Sequence, residues 1–329
     1  MDKNLLEIKG LSSAFLFQGK PVPVITDISY SMKYGEILGV VGESGSGKSV
    51  TVKNVMRILP ESTSSVLAGE IILDGESILD KTEKQMQKIR GNKVSMIFQE
   101  PMTSLNPVYT CGDQITEAII LHQKASKKEA HARAVEMLEL VGISMPEERM
   151  KNYPHELSGG MRQRVMIAMA LCCNPKLLIA DEPTTALDPT IQAQIIQLLK
   201  QIREKMGMGI LYITHDLSVV AQICDRVVVM YAGMVQEIAD VKSLFHNPLH
   251  PYTLGLMQAM PKMGQDRKRL YNIPGVVPHI TQMPQGCRFA PRCPYAKDSC
   301  RAACPELAEA EPGHWVRCDR YREVREEEE

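Results

Sequence analysis

The sequence predicts an α/β protein, a parallel sheet covered by helices, followed by a small cysteine-rich C-terminal extension. Three observations carry that prediction. Short apolar runs alternate with amphipathic stretches over most of the chain. A glycine-rich loop stands between one apolar run and a helix. Near residue 255 the alternation gives way to proline-rich sequence, and five of the nine cysteines lie between Cys287 and Cys318. The expected domains are therefore 1–255 and 256–329.

In chain order, residues 5–9, 24–31 and 36–41 read as strands, with a turn at Lys33–Glu36. Residues 69–78, "GEIILDGESI", form a hairpin closing on Asp74-Gly75, because Asp-Gly supplies the positive φ angles of a tight two-residue turn. Residues 126–142 space Ala, Val, Met and Leu as one helical face and stop at Gly142. A further helix is expected from Ser158 to Cys173. "KLLIAD", residues 176–181, is a short apolar strand ending in charge. The next helix puts Ile191, Ile195, Leu198, Leu199 and Ile202 on one face. "GILYITHD" and "RVVVMYAG" are further strands, and no internal repeat is visible.

The chain has 329 residues, 44% hydrophobic and 23% charged, with a net charge of −1. That balance gives no bulk electrostatic case for nucleic acid, and the acidic "REVREEEE" reads as a solvated end. No apolar run approaches the roughly 18–20 residues that span a bilayer. The opening "MDKNLLEIKG" lacks the basic-then-apolar plan of a signal peptide, so a cytosolic location is expected. In that reducing compartment a cysteine cluster suggests a metal before disulfides.

Residues 42–49, "GESGSGKS", match G-x-x-x-x-G-K-[ST]. Main-chain N–H groups of Gly42, Ser44, Gly45, Ser46 and Gly47 must converge on phosphate oxygens, and side chains would block that approach. The helix that follows, through Ser49 and Val50, points its unpaired N–H groups and positive dipole end at the anion. Lys48 is placed to reach the β and γ phosphates, and Ser49 to ligate Mg²⁺. The strand "LLIADE", Leu177–Glu182, supplies the acidic partner. Asp181 would hold Mg²⁺, usually through water, and Glu182 would polarise the attacking water.

"LSGGM", Leu157–Met161, runs directly into "RQRVMIAMALCCNPKLLIADEPTTALDPT", and together these resemble the ATP-binding subunits of ATP-binding cassette (ABC) transporters over residues 4–250. The family's usual fifth signature residue is Gln where this chain has Met161. The resemblance implies a RecA-like core, an antiparallel β subdomain and a helical subdomain over about residues 100–172. It implies that Gln99 senses Mg²⁺ and the γ phosphate, and that Ala186–Asp188 form the D-loop, with Asp188 in it. His215 becomes the switch histidine, and Phe15, with Phe17 as its competitor, stacks on adenine. Mg²⁺ would then be held by Ser49, Gln99 and Asp181. Two such domains would pack head to tail, so that Ser158, Gly159 and Gly160 of one chain face the ATP held by Lys48 of the other.

The cysteines are spaced C-x5-C-x6-C-x17-C at Cys287, Cys293, Cys300 and Cys318, with Cys304 as a fifth. Structural zinc favours pairs two to four residues apart, which only Cys300 and Cys304 provide. Iron–sulfur clusters also take four thiolates, with varied spacing. "NPLHPYT" and "IPGVVPHITQMPQGCRFAPRCPYA" resemble the C-terminal extension of dipeptide and oligopeptide transporter ATPases. In some members that extension carries a 4Fe–4S cluster, here on those four cysteines or with Cys304 as an alternative ligand. His314 and Trp315 read as packing residues, and His246 and His250 as part of a docking turn. Residues 101–119 lie where the family meets its membrane subunits.

The resemblance implies an ATPase subunit that powers di- or oligopeptide import from the cytoplasmic face of the cell membrane. Its partners would be a second, homologous ATPase subunit, two membrane-spanning permeases and, indirectly, an extracytoplasmic peptide-binding protein. An importer of nickel or another small solute, and a soluble ATPase acting on nucleic acid or the ribosome, are the alternatives. The second usually has two cassettes in one chain, a coiled coil or a basic face, none of which this sequence shows.

Overall fold

The structure, a computed structural model, describes residues 3–99, 104–185, 187–260 and 271–328. The chain divides into two compact units. One holds Asp80–Ile213 with the short stretch Met32–Glu36. The other holds Leu6–Ser31, Ile37–Leu79 and the chain from Thr214 onward. The strands are β1 (Asn4–Phe17), β2 (Lys20–Lys33), β3 (Ile37–Val41), β4 (Ser64–Leu73), β5 (Glu76–Ser77), β6 (Val94–Ile97), β7 (Leu177–Asp181), β8 (Gly209–Thr214), β9 (Arg226–Tyr231), β10 (Met234–Asp240), β11 (Ala308–Glu311) and β12 (His314–Val316).

In the first unit β6, β7 and β8 run parallel, with Val94 opposite Leu177 and Leu177 opposite Gly209. Every residue of β6 and β7, and every residue of β8, is buried. Strands covered on both faces read as continuous apolar runs rather than as alternation. The crossover from β7 to β8 is the helix Pro189–Met206, capped by the Asp188 carboxylate on the N–H groups of Thr190 and Ile191. It ends at Gly207, whose φ of 65° terminates the helix in the left-handed region. Ile195, Ile196, Leu198, Leu199 and Ile202 are its buried face, each contributing roughly 1.5–3 kcal/mol. Ile191, expected on that face, is only half-buried.

Other helices of this unit include Cys111–Gln123, Lys127–Leu140 and Gly159–Leu171, capped by Thr110, Ser126 and Ser158. Ser126 and Glu129 make a reciprocal capping box, which is why the helix begins where the sequence places it.

In the second unit one sheet has the order β2-β1-β4-β5, and another β11-β12-β10-β9-β3. β3 and β9 are parallel, with Gly39 opposite Val227, and the other pairs of the second sheet are antiparallel. β1 and β2 run longer than the expected 5–9 and 24–31, because Gln18 and Gly19, at φ 51° and 75°, turn one directly into the other. The expected turn at Asp74-Gly75 is present, with φ 53° and 79°. Past residue 255 the chain continues the same sheet, β12 pairing with β10 through Glu237–Val316 and Ile238–Trp315. Among the described residues no helix is long and apolar enough to cross a membrane.

Candidate nucleotide site and thiol cluster

The sequence-predicted residues stand at the carboxyl ends of parallel strands, where open α/β sheets bind ligands. Residues 42–48 follow β3, Gln99 follows β6, Asp181 and Glu182 end β7, and His215 follows β8. The phosphate loop and His215 belong to the second unit; Gln99, the signature and the two acids belong to the first.

In the loop, a Cβ on Gly42 would come within 2.1 Å of the Met230 carbonyl oxygen, so no side chain fits there. Gly47, at φ 96°, is the N-cap of the helix Lys48–Met56, and no side chain caps that end. The first N–H groups of the helix therefore point to whatever lies over the loop. Lys48 is 5% exposed, and its Nζ donates to the carbonyls of Gly42 at 2.7 Å and Glu43 at 3.1 Å. Ser46 is buried and Ser44 exposed, while Ser49 and Val50 are half-buried in the helix's first turn. Phe15 is half-buried on β1 opposite Ser64, whereas Phe17 is 57% exposed.

Asp181 is 3% exposed at the end of β7. Glu182 has a φ of 48°, left-handed backbone that a side chain of this size adopts at a cost of about 1–2 kcal/mol. Its N–H donates to Ile213 O at 2.9 Å, holding the turn. Its Oε2 accepts from Gln99 Nε2 at 3.0 Å and from Thr185 Oγ1 at 3.0 Å. The structure thus joins Gln99 to Glu182 across 83 positions of sequence. Thr185 went unnoticed in the sequence, where a threonine three residues past an acid looks like ordinary turn composition. His215 is exposed directly after β8, and the following Asp216 caps the helix Leu217–Ile223.

Ser158, Gly159 and Gly160 form a helix N-terminus, the first two exposed and Gly160 half-buried, where Ser158 Oγ accepts from Met161 N at 3.4 Å. Gly160 lies against the next helix, and a Cβ there would be 3.1 Å from Ile191 Cγ2. The half-buried Met161 leaves Ser158 and both glycines in place. Ala186 of the expected D-loop, and residues 100–103, which include the start of the segment expected to meet membrane subunits, lie outside the described residues. Beyond them Val108 and Tyr109 are 70% and 56% exposed.

None of the nine cysteines is in a disulfide. Cys287, Cys293, Cys300 and Cys318 line one cavity, with Phe289 and Tyr295 among its walls. Cys287 N–H bonds Cys300 O at 2.8 Å, and Gly286 makes this possible, since a Cβ there would lie 2.4 Å from that same oxygen. Burial pushes the Cys293 thiol up to about 11 and that of Cys318 to about 12, the neighbouring thiols adding to it. The Cys304 thiol lies 3.9 Å from Met234 Sδ and does not line that cavity, though its charge also acts on Cys287. Among the described residues no group of three or more His, Cys, Asp or Glu is arranged to hold a metal ion as it stands. The donor set nonetheless fits a cluster in kind and number, four thiols around one cavity.

His314 is a packing residue. Its Nε2 is 2.7 Å from the buried Glu237 carboxylate, which also accepts from Leu249 N and His250 N. His250 is fully buried, and its Nδ1 accepts from Tyr252 N at 3.0 Å.

A glycine loop that follows a buried strand, opens a helix and wraps a lysine has the form of a P-loop nucleotide-binding site. A model described as "ABC transporter" matches residues 25–185, and one described as "Oligopeptide/dipeptide transporter, C-terminal region" matches residues 236–300. The chain is 52% identical over 319 residues to the oligopeptide transport ATP-binding protein AppD of Bacillus subtilis, covering 97% of each. It is 49% identical over 314 residues to the dipeptide transport ATP-binding protein DppD of Escherichia coli, covering 95% of this chain and 96% of that one. A solved structure similar to it is the dimeric ATP-binding cassette MJ0796 bound to ADP and Pi. There the TM-score is 0.64 and the identity 28%, over 72% of this chain and 98% of that one. The chain belongs to the ABC transporter family as one of its ATP-binding proteins. It is an ATPase that works with ATP and Mg²⁺.

Proposed function

We propose that this chain hydrolyses ATP to power di- or oligopeptide import through a membrane ABC transporter, docked on the cytoplasmic face of the membrane. The observation that carries the cargo is that the likeness to AppD and DppD runs through the extension and spans nearly the whole chain. The relatives' names favour peptides over nickel, and an ABC transporter over a soluble nucleic-acid ATPase. Deletion of this chain should abolish growth on di- or oligopeptides as the amino-acid source. Unimpaired peptide uptake with lost nickel uptake would overturn the cargo.

In this reading the main-chain amides of residues 42–49 and Lys48 bind the triphosphate, and Ser49, Gln99 and Asp181 hold Mg²⁺. Phe15 stacks on adenine; its partial burial on β1 supports it over the more exposed Phe17. Glu182, steadied by Gln99 and Thr185, orients and deprotonates the attacking water, while His215 contacts the γ phosphate. Phosphoryl transfer asks the protein mainly for position and neutralised charge. A second, homologous ATPase subunit presents Ser158, Gly159 and Gly160 to that phosphate, with Asp188 at the dimer contact. Hydrolysis splits the charge that joins the halves, and a few kcal/mol of lost contact reopens them. Two membrane-spanning subunits read that motion, with Val108 and Tyr109 among the exposed side chains offered to them.

Cys287, Cys293, Cys300 and Cys318 are the thiols we assign to a 4Fe–4S cluster, supported by their common cavity, which Cys304 does not line. Bound there, a cluster would crosslink the extension and supply a one-electron centre. Anaerobically purified protein should carry iron and acid-labile sulfide at about four each per chain. Stoichiometric zinc instead would overturn that assignment.

A further inference from the structure

The extension reaches into the phosphate loop. Arg292, the residue before Cys293, sets its guanidinium across the carboxylate of Glu43, the second residue of the loop. Nη1 lies 2.6 Å from Oε2 and Nη2 lies 3.1 Å from Oε1. The same group is anchored on its own side, Nε donating to Pro274 O at 2.9 Å and Nη2 to Ile273 O at 3.1 Å. It also sits over the Tyr231 ring, 5.6 Å from the centroid. The arginine side chain is 5% exposed and that of Glu43 27%.

A second hold comes from the helix Pro251–Gln258, where the Tyr252 hydroxyl oxygen accepts from Glu43 N at 2.8 Å. Tyr252 is fully buried against Tyr231 and Phe289, with ring centroids 4.7 and 5.4 Å away. The remaining polar group of Glu43, its carbonyl, accepts from Lys48 Nζ. One residue of a glycine-rich loop is thus gripped at its amide by Tyr252, at its carboxylate by Arg292 and at its carbonyl by the phosphate-binding lysine.

Two physical consequences follow. A loop rich in glycine loses conformational entropy when it orders around a ligand, and a loop already held loses less, which raises affinity. A carboxylate in a polyphosphate-binding loop also repels its ligand, and a bidentate arginine cancels that charge. We propose that Arg292 and Tyr252 are positioning residues for nucleotide binding: from the C-terminal extension they brace the phosphate loop through Glu43 and neutralise its carboxylate, so that affinity for MgATP is set in part outside the ATP-binding core.

This inference rests on the assignment of residues 42–49 as the phosphate loop, and the test separates the two. MgATP and MgADP affinities are measured by titration calorimetry on the full chain, with thermal unfolding as the check of folding. Lys48→Ala tests the loop itself, and its binding nucleotide like the parent would end that assignment. Given a loss there, Arg292→Ala should weaken MgATP about tenfold and MgADP less, because the triphosphate carries more charge for Glu43 to repel. Adding Glu43→Gln to Arg292→Ala should recover most of that loss, a rescue that a merely structural arginine would not show. Tyr252→Phe, which removes only the hydroxyl, should weaken MgATP about threefold and stands in if Arg292→Ala fails to fold. Affinities of both Arg292→Ala and Tyr252→Phe within error of the parent, or no recovery from Glu43→Gln, would overturn the brace and leave the loop assignment intact.

Discussion

Glu182 shows how much chemistry one residue's surroundings decide. Its left-handed backbone aims the carboxylate off the end of β7, and the Gln99 amide and Thr185 hydroxyl fix its rotamer. A strained residue held by two side chains is a common mark of a reacting group. Thr185→Val removes one hydrogen bond to a carboxylate, worth about 1.5 kcal/mol, so kcat should fall roughly tenfold while Thr185→Ser stays near the parent. Steady-state ATPase rates check this, and an unchanged kcat in Thr185→Val would remove the hydroxyl from the mechanism. His250 offers a test of stability. Burial, with the Arg317 charge adding to it, lowers its pKa to about 3. Between about pH 6.5 and 3 the unfolded chain therefore binds a proton that the folded chain refuses, and stability declines as pH falls. Urea unfolding at pH 7 and pH 5 should show a loss of up to about 2 kcal/mol from this group. His250→Asn, which can still accept from Tyr252 N, should flatten that part of the slope.

Among the elements, those with local causes were legible from sequence and those made by distant pairing were not. The helix after Ser126, the hairpin at Asp74-Gly75 and the buried β7 follow from caps, turn chemistry and apolar runs, and all lie where expected. β11 and β12 escaped because "AEAE" and "HWV" carry no strand pattern; β12 is a strand because Glu237 and Ile238 of β10 accept it as a neighbour. The extension is pinned by arginines that composition could not place. Arg317 Nη2 reaches Asp27 at 3.0 Å, and Arg288 Nη2 reaches Thr26 Oγ1 at 2.9 Å. These bonds cross 290 and 262 positions of sequence, so no local window contains both partners. The glycine pattern of residues 42–49 was readable because its glycines answer a local need, but the hold of Arg292 on Glu43 was not, for that same reason of distance. Within the extension, Gly286→Ala would drive a methyl group into the Cys300 and Arg301 carbonyls, at 2.4 and 2.6 Å. Main chain cannot yield as a flexible side chain does, so a loss of about 1–3 kcal/mol is expected in denaturant unfolding. No change would show that the Cys287–Cys300 approach is looser than its geometry.

For the whole molecule, the proposed head-to-tail pairing turns on Ser158 and Gly159. Both are exposed at a helix N-terminus where, among the described residues, the Ser158 hydroxyl caps the helix by accepting from Met161 N. An anion presented by another copy or a homologous subunit would complete it. The similar MJ0796 cassette is dimeric with ADP and Pi, in keeping with that use. Glu182→Gln keeps every atom of the phosphate grip but removes the base, so it should trap the closed state. The most direct measurement is light scattering of Glu182→Gln after gel filtration, or of its complex with the homologous subunit, with and without MgATP. The account expects monomers without nucleotide and stable dimers with it, abolished by Ser158→Arg. Nucleotide bound at full stoichiometry by Glu182→Gln that stays monomeric, with parent turnover per chain unchanged on dilution, would contradict it.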